Sequence, residues 1–164
     1  MAETIAALSL ASNILQVVDY GTKFISAAWK IWRSGREGIE GLTSLQRISH
    51  DLKAVVERLR ATLPTSARQV EDESTSSIFA LAEECSKITQ QMLDTIESLG
   101  IPNQSRKKRD ALIAAFKLVW KNDKIVALQA RLDDFRSQII LNLAISFRYD
   151  TKLSSLEHLS NTLS

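Results

Sequence analysis

The sequence predicts an all-α protein, an antiparallel bundle of four to five long helices. Two observations carry that expectation. Apolar residues recur at steps of three and four in five separate stretches, and no stretch alternates apolar and polar residues as a half-buried strand would. Only 5 glycines and 2 prolines punctuate 164 residues, which favours long helices over a sheet with frequent turns. A 45% hydrophobic content suits one folded domain with a single core, and no repeat of 20 to 50 residues is visible.

The first helix is expected from about Glu3 to Arg33, roughly 45 Å at 1.5 Å per residue. With Leu8 at heptad position a, row a holds Leu8, Leu15, Thr22 and Trp29. Row d holds Ala11, Val18, Ile25 and Trp32. Row g adds Ala7, Ile14, Gly21 and Ala28, and row c adds Leu10, Val17, Phe24 and Ile31. Rows c, g, d and a are contiguous on the helical wheel, so more than half the circumference is apolar. Such an arc must be buried against several partners or stand ready to enter something apolar. Lys30 and Arg33 suit the negative end of the helix dipole, and Ser34-Gly35 ends the helix. Gly35, Gly38 and Gly41 mark a flexible connection.

A second helix is expected over about Leu42 to Leu63, with Leu42, Leu45, Ile48, Leu52, Val55, Leu59 and Leu63 on one face and Pro64 as its stop. Thr65 to Ser77 is polar and reads as a loop that closes in a helix cap, its acids near the next helix start. The third helix runs from about Ser77 to Leu99 on Ile78, Leu81, Cys85, Ile88, Met92, Ile96 and Leu99. Gly100-Ile101-Pro102 terminates it.

Arg106-Lys107-Lys108-Arg109 precedes the apolar run Ala111 to Trp120. Four cations at a helix start oppose the dipole. The run reads as a solvated charge cluster, as a binder of phosphate or anionic lipid headgroups, or as a nuclear localisation signal. Asn122-Asp123 is expected to break and recap the chain, with Trp120 to Lys124 either a true break or only a kink. The next helix carries Ile125, Leu128, Leu132, Phe135, Ile139, Leu143 and Phe147 on one face, with Arg131, Asp133, Asp134 and Arg136 outward. Leu153, Leu156, Ser160 and Leu163 form a weak final helix or begin a linker.

Several classes of function are disfavoured. His50 and His158 share no metal-ligand spacing with each other or with Cys85, and no nucleophile elbow, phosphate-binding loop or dinucleotide fingerprint occurs, so no cofactor or enzymatic activity is expected. The single cysteine, Cys85, lies at core spacing and reads as a small buried hydrophobe, with a reducing, intracellular compartment implied. A net charge of +2 gives little reason to expect nucleic acid as a partner. Thr4 to Val18 is uncharged, but Glu3 stands where a signal peptide has its basic region, and Ser12, Asn13 and Gln16 interrupt it as a membrane span. Trp29, Trp32 and Trp120 read either as interfacial anchors beside Arg33 and Arg36 or as caps on the bundle core.

Three stretches, AETIAALSLASNILQVVDYGTKFIS, LTSLQRISHDLKAVVERL and KLVWKNDKIVALQARLDDFRSQIILNLAISFR, resemble the HeLo-like N-terminal domain of fungal STAND proteins, the NLR-like receptors with NACHT or NB-ARC modules. The likeness runs from about Ala2 to Arg148 and is one of pattern, without a catalytic signature. It implies a bundle over residues 1–150, with 151–164 a C-terminal helix or the start of a linker to nucleotide-binding and repeat domains of the same receptor. HeLo-like domains are similar to the four-helix executioner domain of the mixed-lineage kinase-like pseudokinase of necroptosis. The resemblance therefore implies an effector of programmed cell death, heterokaryon incompatibility and innate immunity. It would rest in the cytoplasm, oligomerise with itself on activation and move to the plasma membrane to target or permeabilise it. Ile5, Leu8, Leu10, Ile14, Leu15, Val17 and Val18 would then contact lipid. Lys23, Lys30, Arg33 and Arg36 would hold anionic headgroups, at about 1 kcal/mol each near such a surface, joined by Arg106, Lys107, Lys108 and Arg109. The alternative is a non-lytic homotypic adaptor that recruits a downstream effector, its first helix being simply core. A third reading is an anion- or nucleic-acid-binding bundle that uses Arg106 to Arg109.

Overall fold

The computed structural model describes residues 2–33, 38–63, 73–100 and 109–162, in five helices. These are α1 (Ala2–Arg33), α2 (Gly38–Thr62), α3 (Glu73–Ser98), α4 (Arg109–Val119) and α5 (Asn122–Thr162). No strand occurs among the described residues, and the protein is the all-α bundle that its periodicity predicts.

Pairs of contacts give the directions. Asn13 Nδ2 donates to Thr62 Oγ1 at 3.4 Å, while Gly41 lies against Ile31, so α1 and α2 run antiparallel. Gly21 meets Leu132, and Arg136 Nη2 reaches Asp19 Oδ1 at 2.7 Å, so α1 and α5 do likewise. Arg60 Nε donates to Ser86 Oγ at 2.9 Å between α2 and α3. Arg131 of α5 pairs with Glu84 of α3 and with Asp134.

The wide arc of α1 explains this arrangement. Helix α1 packs against all four other helices. Row c is sealed, with Leu10, Val17, Phe24 and Ile31 no more than 1% exposed. Rows g and d are buried from Ala7 through Ile25, including Gly21. Row a, expected inside, lies instead on the rim: Leu8 is exposed, Thr22 is exposed, and Leu15 and Trp29 are half-buried. The neighbouring helices centre on rows c, g and d, and a falls at their edge.

Two close approaches fall at glycines. A Cβ on Gly21 would stand 2.8 Å from Leu132 Cδ1, and one on Gly41 would stand 2.7 Å from Ile31 Cγ1 and 3.2 Å from the Ile31 nitrogen. Gly38 and Gly41, expected in a flexible connection, are thus helical, because at Gly41 the missing side chain lets α2 lie directly on α1.

Other boundaries also differ from expectation. Helix α3 begins at Glu73 rather than Ser77, so the serine-rich stretch expected as a loop and cap is already helical; an acidic residue suits that end of the dipole. Gly100 ends α3 as expected, with φ 64° and its N–H donating to Glu97 O at 2.9 Å. The stretch Trp120 to Lys124 holds a true break, at Trp120-Lys121, and Lys121 O accepts from the amides of Lys124 and Ile125. The expected short final helix is instead a continuation of α5, since neither glycine nor proline occurs between Asn122 and Thr162. Phe147, expected on the core face, is 54% exposed. The steps from Ile139 to Leu143 to Phe147 are four residues each, and each overshoots the 3.6-residue turn by about 40°.

Candidate functional site

The lipid-contact candidates divide sharply by burial. Leu10, Ile14, Val17 and Val18 are no more than 1% exposed and belong to the core, and Leu15 is half-buried beside it. Only Ile5, 66% exposed, and Leu8, 48% exposed, face outward. Extracting the four sealed side chains costs about 6–12 kcal/mol at roughly 1.5–3 kcal/mol each. That equals the whole stability of an ordinary domain. In this conformation α1 is therefore the keel of the bundle rather than a detachable arm. No described helix is long and apolar enough to cross a membrane.

Part of the set of headgroup candidates lies on α1. Lys23 and Lys30 are exposed and seven residues apart on one side of α1. Lys23 Nζ sits 4.7 Å from the Tyr20 ring centroid, and the Arg33 guanidinium lies 4.9 Å from that of Trp29. Both side chains thus hold the charged group itself over an aromatic face, where the ring quadrupole attracts it. Arg36, Arg106, Lys107 and Lys108 lie outside the described residues, and Arg109 is placed only as the first residue of α4.

Trp32 and Trp120 meet where α1 ends and α4 gives way to α5. Trp120 is 1% exposed, stacked on Phe116 at 6.0 Å and tilted against Phe24 at 5.4 Å. Trp32 Nε1 donates to the Trp120 carbonyl at 2.8 Å. These contacts fit the core-capping reading, with Trp29 and Trp32 half-buried around the cap. The buried Nε1 of Trp120 has no hydrogen-bond partner among the described residues.

Reactive groups are held inert. Cys85 is fully buried, and burial pushes its thiol from 9.0 up to about 12, opposed only by Thr89. Thr89 Oγ1 donates to the Cys85 carbonyl at 2.6 Å. His50 is exposed, with Nδ1 3.7 Å from Asp51 Oδ1. Glu83 is held below the usual carboxylate range by Lys87, one turn on. Among the described residues no group of three or more His, Cys, Asp or Glu could hold a metal ion. A shallow groove of about 500 Å³ runs between α2 and α3, with Arg47, His50 and Lys53 on one wall and Leu93, Ile96 and Glu97 on the other.

Sequence reasoning missed one surface. On α5, Ile140, Leu141 and Phe147 are each more than half exposed and Ile145 is 38% exposed. They stand away from the core face of Ile125, Leu132, Phe135 and Ile139. The signal was present, since residues 139–147 are apolar on nearly every side, a composition that asks for burial all round. Comparisons with protein-family models, with curated proteins and with solved structures gave no match.

Proposed function

We propose that the chain is a non-lytic, homotypic adaptor bundle that works as the N-terminal signalling module of a fungal NLR-like receptor. It associates with copies of itself through an external helical surface and so presents a platform to a downstream effector. The observation that supports this reading over membrane permeabilisation is the position of α1. Its c, g and d rows form the centre of the core, and releasing them would undo the fold. Helix α5 presents exposed apolar residues, Ile140, Leu141 and Phe147 among them, already in place and needing no rearrangement.

A membrane-targeting effector is the second reading, and one observation favours it. Ile5 and Leu8 are exposed near the start of α1, where they could touch a bilayer without disturbing the core. Dye release from vesicles containing anionic lipid separates the two. The adaptor reading expects no release from the intact chain, together with self-association in solution. Release that is abolished by Ile5→Asp and Leu8→Asp, in variants whose circular dichroism is unchanged, would overturn it in favour of the membrane.

A further inference from the structure

We infer that the outer face of α5 is a two-fold self-recognition surface, on which a second copy of this chain docks with its α5 antiparallel. The inference rests on the homotypic reading above and names the surface that carries it.

The face is defined by alternating steps of three and four residues along one side of α5: Ala130, Asp133, Ser137, Ile140, Ala144 and Phe147, all exposed. Val126, 49% exposed, extends it toward the start of the helix and Thr151 toward the end. Its length from Val126 to Thr151 is roughly 40 Å at 1.5 Å per residue. Small residues recur every seventh position, at Ala130, Ser137, Ala144 and Thr151, and allow two helix backbones to approach closely.

What identifies the occupant is the symmetry of the charges. A two-fold axis passing between Ile140 and Leu141 sets each residue against a partner in the other copy. Ile140 meets Leu141, Ser137 meets Ala144 and Ala130 meets Thr151. The same register places Asp133 opposite Arg148, and Arg148 opposite Asp133, closing the apolar centre with an ion pair at each end. Asp133 and Arg148 are exposed, and neither side chain is in any ion pair described above. An isologous interface requires this self-complementarity, in which residue i meets j and j meets i. Antiparallel charge pairing also disfavours the parallel arrangement, which would set Asp133 on Asp133.

The polar groups on the face are prepared for burial. Ser137 Oγ donates to the Asp133 carbonyl at 2.9 Å, and Thr151 Oγ1 donates to the Phe147 carbonyl at 2.8 Å. Covering these hydroxyls leaves no donor stranded.

The test is the solution mass of the full chain by light scattering and sedimentation. A mass of twice 18.3 kDa is expected for the wild type. Asp133→Arg alone and Arg148→Asp alone should each weaken the dimer about tenfold or more, because like charges then face each other at both ends. Mixing the two variants should restore a heterodimer, since every facing pair is again opposite in sign. These exposed substitutions leave the core untouched, which circular dichroism verifies. Self-association that survives both variants and Ile140→Asp overturns this surface but keeps the homotypic reading. A wild type that stays monomeric up to about 100 µM overturns both. A monomer that binds anionic vesicles, and loses them on Ile140→Asp, assigns the face to lipid instead.

Discussion

The indole of Trp32 donates its N–H to the main-chain carbonyl of Trp120 at 2.8 Å, across 88 residues of sequence. The last turn of α1 is thereby fastened to the point where α4 stops and α5 begins. Trp120 accepts this bond just beyond α4, and its own amide still donates to Phe116 O at 2.7 Å. Replacing Trp32 by Phe keeps most of the apolar contact and strands the carbonyl. A loss of about 1–3 kcal/mol is expected, measured as a lower urea midpoint with an unchanged slope.

Glycine 41 should behave against the usual rule. Gly to Ala within an ordinary exposed helix stabilises by about 1 kcal/mol. At position 41 the new methyl would meet Ile31 Cγ1 at 2.7 Å and the Ile31 backbone nitrogen at 3.2 Å. Gly41→Ala is therefore expected to destabilise by about 1–3 kcal/mol. A stabilised variant in thermal unfolding would contradict the close approach of α1 and α2.

Within α1, neighbouring apolar residues should differ widely in their effect. Ile14 is 0% exposed and Ile5 is 66% exposed. Ile14→Ala should cost about 2–5 kcal/mol, whereas Ile5→Ser should stay within about 0.5 kcal/mol. Removal of residues 1–20 takes Leu10, Ile14, Val17 and Val18 with it and should abolish the helical signal in circular dichroism.

Cys85 gives a stability signature at alkaline pH. Burial raises its folded-state value from 9.0 to about 12. The native state thus keeps a proton that the unfolded chain releases above pH 9. The contribution is complete below that point and is lost as pH rises toward 12, at about 1.4 kcal/mol per pH unit. Unfolding of the wild type and Cys85→Ala, compared at pH 8 and pH 10.5 (about 1.5 units above the onset), should show the steeper decline only in the wild type. Thiol reagents should label Cys85 only as the protein unfolds.

The fold class and the five helices were legible because apolar spacing alone decides them. Leu45, Leu52 and Leu59, or Ile78, Cys85 and Met92, have no other common side than the one facing the core. Position along the chain was harder to read where one residue type serves two purposes. Gly41 looks like a hinge and is a contact, because glycine both loosens a chain and admits a neighbour. Burial at the end of α5 was misjudged for a related reason. Phe147 continues a stripe in sequence, yet its four-residue steps carry it around the helix and off the core. The lipid-contact candidates came from a resemblance and from an apolar arc that did not distinguish lipid from protein. Packing gives most of that arc, at Leu10, Ile14, Val17 and Val18, to protein.

The meeting of Gly21 with Leu132 has a consequence for synthesis. Helix α1 is synthesised about 110 residues ahead of the part of α5 that covers it, so at 5–20 residues per second that flank waits roughly 5–20 s for cover. Nascent chains are vulnerable over that interval, and a chaperone that shields α1 until α5 has been made should raise the yield of folded protein more than one that acts later.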